Sequence, residues 1–127
     1  MKSLLTIFTL VFTVMLSSTS FAEWTKVSQT MDGDSVYVDF ERIRKHDGYV
    51  YYWELQSLLK PDKDGDLSYR WYYQGDCKLF RLKQLSGSYH KDPMGGGVGT
   101  PNSPLDKWDY PAPNSVWENS LKSVCSR

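Results

Sequence analysis

The sequence predicts an α+β domain: an antiparallel sheet of five or six strands in a meander, closed by a C-terminal helix that one disulfide tethers. After Glu23, apolar residues recur mostly with period two, in runs separated by short Asp- and Gly-rich breaks. Ser115 and Glu118 have the spacing of a helix capping box, and Trp117, Leu121 and Val124 follow at helical spacing. Cys77 and Cys125 are the only two cysteines, an even count that reads as one disulfide in an oxidising compartment. Closing so long a loop stabilises by roughly 4 kcal/mol in the chain-entropy picture, a useful supplement to a small core.

The oxidising compartment follows from the N-terminus. Lys2 precedes the apolar run Leu4–Leu16, which ends in small polar residues and Ser20-Phe21-Ala22, the pattern of a signal peptide cut after Ala22. The run is well short of the ~20 residues that span a bilayer, and no second hydrophobic segment follows, so no membrane insertion is expected after cleavage. Residues 1–22 are therefore the leader and 23–127 one domain. The chain has 15 basic and 15 acidic side chains; the leader removes one Lys, leaving a formal charge of −1. That balance lacks the electrostatic footprint of a nucleic-acid or membrane-surface binder. No Cys near the cleavage site offers a lipid attachment point, so the expected location is open between periplasm and cell surface or release.

The strands read in order as Trp24–Val27, Ser35–Phe40, Tyr49–Leu58, Leu67–Cys77 and Lys78–Leu85. Asp32-Gly33 marks a hairpin between the first two, and Pro61–Asp66 has turn chemistry between the third and fourth. Residues 93–104 hold four Gly and three Pro and form a loop or lid. A short piece around Lys107–Tyr110 returns to the sheet before the helix.

No motif assembles a coherent set of catalytic roles, so no enzyme activity and no cofactor is expected. His46 and His90 lack a nucleophile or a second imidazole at ligand spacing. Asp62, Asp64 and Asp66 suggest a calcium loop, but the Gly and Glu positions of an EF-hand hold Leu67 and Tyr73, and a solvated turn accounts for them better. Gly95–Gly97 and Gly99 lack the Gly-Lys-Ser/Thr ending of a phosphate loop.

Aromatic density is the informative feature: Tyr49, Tyr51, Tyr52, Trp53, Tyr69, Trp71, Tyr72 and Tyr73 crowd two strands. Alternation divides them between two faces. The expected core set is Tyr51, Trp53 and Leu55 with Tyr69, Trp71 and Tyr73, under Trp117 and Leu121. Tyr52 and Glu54, with Tyr72 and Arg70, then form a mixed surface of aromatic bodies and polar rims, the composition favoured at protein interfaces. These four are the expected partner-binding residues. Cross-strand pairing that merely stabilises the sheet would use the same rings. A homodimer would fit this surface as well as a foreign partner.

Trp24, Tyr37-Val38-Asp39 followed by Ile43, Trp53-Glu54-Leu55, Asp76-Cys77, Met94–Gly97, Trp108 and Val124-Cys125, in this order and spacing, resemble the bacterial surface-adhesin E family. The resemblance covers essentially all of residues 23–127. It implies an antiparallel sheet with a C-terminal helix tethered by the two cysteines. It also implies an exported, non-catalytic protein whose relatives bind host extracellular-matrix and serum proteins. A periplasmic inhibitor or envelope assembly factor is the alternative function for a small exported β-protein with one disulfide.

Overall fold

The computed structural model describes residues 23–127; the expected signal peptide, residues 1–22, lies outside them. Strands β1 (Thr25–Gln29) and β2 (Ser35–Val38) form a hairpin around the Asp32-Gly33 turn. A 3-10 turn at Phe40–Arg42 leads into a second hairpin, β3 (Arg44–His46) and β4 (Tyr49–Ser57). Then come β5 (Ser68–Asp76), β6 (Arg81–His90), a 3-10 turn at Pro93–Gly95, β7 (Gly99–Pro101) and helix α1 (Val116–Cys125).

Every pairing is antiparallel, in the order β1-β2-β4-β5-β6-β7, and β3 lies beside the first part of β4 on the edge that β2 occupies further along. The meander is as expected, with seven strands because β3 and β7 add three residues each. Residues around Lys107–Tyr110 return to the sheet only as a single bridge, Asp109 to Leu82.

The fifth expected strand is displaced. Cys77–Phe80 forms a tight turn, with Phe80 at a φ of 51°, and β6 runs on to His90. The Asp76 carboxylate builds that turn: it accepts from the Lys78 and Leu79 amides at 3.1 Å and from Arg81 Nε at 2.9 Å. These bonds, the Leu79 amide foremost, hold its carboxyl below the ordinary value. The expected strand stops at Leu85, yet β6 continues through Ser86-Gly87-Ser88, where Trp71 packs closely on Gly87. A Cβ there would sit 2.3 Å from Trp71 Cε3.

One helix covers one face of the sheet. Ser115 Oγ caps it by accepting from the Glu118 amide at 3.2 Å, as the capping pattern predicts. Leu121 and Val124 are fully buried against Val38, Val50, Tyr52, Tyr73 and Leu82. The approach is close at Gly75, where a Cβ would lie 2.9 Å from Leu121 and from Val50. The Cys77–Cys125 disulfide, across a separation of 48 residues, ties the last helical residue to the end of β5. Trp117 departs from the expected core: it is 44% exposed and lines a cleft with Tyr73, Leu82, Gln84 and Tyr110.

Candidate functional site

Both faces of β4 are aromatic, so register decides which one the helix covers. Tyr52 pairs with Tyr73 and Trp53 with Tyr72; an even position of β4 always shares a face with an odd position of β5. The helix covers the face carrying Val50, Tyr52, Glu54 and Tyr73, where Tyr52 is 0% and Glu54 1% exposed. This corrects the expected surface. Odd positions of both strands were placed together as core, and the register forbids that combination. Of the four expected partner-binding residues, Tyr72 and Arg70 lie on the open face, whereas Tyr52 and Glu54 belong to the core. Tyr51 and Trp53, expected inside, are half-buried on the open face, while Leu55 and Tyr73 are buried on opposite sides of the sheet.

The covered face holds an uncommon group. Glu54 has no cation paired with it among the described residues, its Oε1 lacks a hydrogen-bond partner, and the Ser120 hydroxyl of the helix faces it. Burial pushes its carboxyl up to about 7, with Ser120 acting the other way. Burial and then the neighbouring Glu54 charge also raise the Tyr52 and Tyr73 hydroxyls well above their ordinary value.

The open face is a row of rings. Trp53 and Tyr72 have centroids 4.7 Å apart, and Tyr51 and Tyr72 6.4 Å apart. Tyr49, the next residue of β4 on this face, packs on Trp108 at 5.5 Å. Arg81 and Lys83 lie 4.2 and 4.9 Å from the centre of the Trp108 ring, within cation–π range. Beside the row, β3 contributes Arg44, which pairs with Tyr51, and His46, which pairs with Tyr49. Arg44, Lys45, His46, Tyr51, Tyr72 and Leu85 line a depression of about 420 Å³. Leu85 is the unpaired residue where the β5–β6 register shifts, and this bulge turns its side chain into the depression.

The glycine loop closes the far end of this face. The Gly95 amide donates to Ser68 Oγ at 2.8 Å, and Ser68 Oγ donates to the Asp92 carbonyl at 2.6 Å. Arg70 donates to the Gly95 carbonyl at 3.3 Å. His90 is buried beneath it, with Nε2 2.7 Å from Ser88 Oγ, whereas His46 is exposed and 3.1 Å from Asp47. Asp62, Asp64 and Asp66 do converge, with carboxylate oxygens within 4.8 Å of one another. Asp62 is already engaged: it accepts from the Asp64 and Asp66 amides at 2.9 Å and from the Tyr69 hydroxyl at 2.5 Å, and Lys91 neutralises Asp66 at 3.0 Å. The Tyr69 hydrogen bond, before the others, lowers the Asp62 carboxyl. The cluster is turn architecture.

The sequence reading missed Tyr49, Tyr51, Trp53, Trp108, Arg44 and Leu85 as members of this surface. The signal for the first three was the spacing Tyr49-Tyr51-Trp53, three rings on one side of one strand, of which Tyr51 and Trp53 were expected in the core.

Against known proteins, the family model of surface-adhesin protein E matches residues 24–126. The chain belongs to the surface-adhesin protein E family. Crystal form II of Haemophilus influenzae protein E superimposes with a TM-score of 0.65 at 16% identity, covering 84% of this chain and 90% of that one. The structure of protein E from non-typeable Haemophilus influenzae gives 0.58 at 15% identity, covering 86% and 79%. At this identity the superpositions show a shared fold. No curated protein matches the sequence significantly. The expected family and its disulfide-tethered sheet are thus both found.

Proposed function

We propose that this member of the surface-adhesin E family is an exported, non-catalytic adhesin that engages a protein partner, a host matrix or serum protein, through the open face of its sheet. One observation carries the reading. Among the described residues a single α-helix covers a sheet whose two faces are both aromatic, and the face of Tyr51, Trp53 and Tyr72 stays half-exposed. Aromatic side chains held rigid by neighbours and rimmed by Arg44 and Arg70 have the make-up of interface hot spots. The comparisons support an adhesin, and no described helix is long and apolar enough to cross a membrane.

The test is capture of matrix and serum proteins on immobilised protein, compared with the double variant Tyr51→Ala, Tyr72→Ala. The expected result is loss of the captured partner with the fold intact by circular dichroism. Undiminished capture by the folded variant would move the binding surface elsewhere.

A further inference from the structure

The open face is more basic than the chain as a whole, and that difference bears on what it binds. The chain carries equal numbers of acids and bases. Asp32, Asp34, Asp62, Asp64, Asp66 and Asp92 all fall in or beside turns at one end of the sheet, following β1, β4 and β6, where only Lys60, Lys63 and Lys91 offset them. Around the ring row stand Lys26, Arg44, Arg70, Arg81 and Lys83 instead. Lys26 is on this face because it pairs with Tyr37, which pairs with Leu55. Asp76 and Asp106 neutralise Arg81 and Lys83. Lys26, Arg44 and Arg70 form no ion pair among the described residues. Arg70 donates to the Gly95 carbonyl and its buried Nε has no hydrogen-bond partner, and Lys26 donates to the neutral Gln29.

We infer that this face takes an acidic polysaccharide, a chain of sugars bearing sulfate or carboxylate groups; the inference rests on the open face being the binding surface. Two features must be met by one ligand. The rings of β4 from Tyr49 to Trp53 extend about 13 Å at ~3.3 Å per residue, and Tyr72 and Trp108 widen the row. Sugar rings present flat arrays of polarised C–H bonds to the negative faces of such aromatics. Arg44, exposed beside Tyr51, offers a guanidinium fork that matches sulfate or carboxylate oxygens, and Arg70, partly engaged by the glycine loop, adds positive charge at the far end of the row. An acidic peptide without apolar or aromatic side chains would use the guanidinium groups and leave the ring row idle. A neutral glycan would use the rings and leave three cations unmatched.

Calorimetric titration of the protein with a short heparin oligosaccharide tests this, with poly-L-glutamate and oligothymidine as the competing polyanions. Heparin should bind, more weakly at about 200 mM than at about 50 mM salt. Arg44→Gln and Tyr72→Ala should each weaken it about tenfold, the loss of one charge-assisted or stacking contact. Lys63→Gln, in the acidic turn, should leave affinity unchanged. Arg44 is exposed and unpaired, so its variant remains informative should Tyr72→Ala fail to fold. Absent heparin binding overturns the inference, as does equal affinity for poly-L-glutamate or oligothymidine that Tyr72→Ala leaves untouched. If heparin fails while protein capture still depends on Tyr51 and Tyr72, the glycan inference falls and the binding face stands. If neither ligand responds to these variants, both fall.

Discussion

The two faces of the sheet are built from nearly the same side chains and reach opposite ends. On the covered face, Tyr52 and Tyr73 pack at 5.6 Å between centroids, sealed under Leu121 and Val124. On the open face, Trp53 and Tyr72 pack at 4.7 Å with no helix above them. Each pair is a cross-strand neighbour in the same two strands, one residue apart. Composition therefore does not separate core from binding surface here. What separates them is which face the single helix occupies, and the Cys77–Cys125 link and the close approach at Gly75 fix that choice.

The largest expected effect tests the covered side. Tyr52→Ala removes a fully buried ring and should lower unfolding stability by ~3–5 kcal/mol in chemical denaturation. A loss below about 1 kcal/mol would mean that the faces are reversed.

The buried carboxyl comes next. Glu54 has its value raised from 4.5 to about 7, so the folded state binds the proton more tightly than the unfolded chain. Its contribution is fully present below about pH 4.5 and is lost as pH rises through about 7, a decline on the order of 3 kcal/mol. Glu54→Gln should flatten this dependence. Denaturation midpoints across the range distinguish the two proteins, and identical profiles would show that Glu54 is not the titrating group.

The tether should be worth a little less. Cys77→Ser and Cys125→Ser should each cost ~2–4 kcal/mol and by similar amounts, since either removes the same link. Hydrogen exchange should show α1 loosening before the sheet does. Free-thiol labelling of the unreduced wild type would contradict the pairing.

The smallest effect belongs to the open side. Tyr72→Ala should change stability by less than about 1 kcal/mol, as for other side chains left partly in water, while partner capture falls. A stability loss matching that of Tyr52→Ala would erase the contrast between the faces.

Much of this was legible in the sequence. Period-two runs, the Asp32-Gly33 turn, the Ser115 cap and the two cysteines each act locally, or through a simple count, and the elements they mark are present. The candidate surface was half legible. Tyr72 and Arg70 were placed on the open face, but Tyr52 and Glu54 were placed with them because alternation was applied to each strand separately. Strand pairing is a relation between strands, and when both faces carry Tyr and Trp no hydrophobic contrast reveals the register. A glutamate among the apolar positions pointed outward by every compositional rule, and it is buried. The extension of β6 past Leu85 was hidden for a related reason: the close packing of Trp71 on Gly87 is a contact between strands.

Site-resolved tyrosine iodination tests the central claim, that the helix seals one aromatic face and leaves the other open, most directly. Brief labelling of the folded protein, read by peptide mass spectrometry, should mark Tyr51 and Tyr72 and spare Tyr52 and Tyr73, and a bound partner should protect the first pair. Labelling of Tyr52 in the native protein, with Tyr72 spared, would contradict the account.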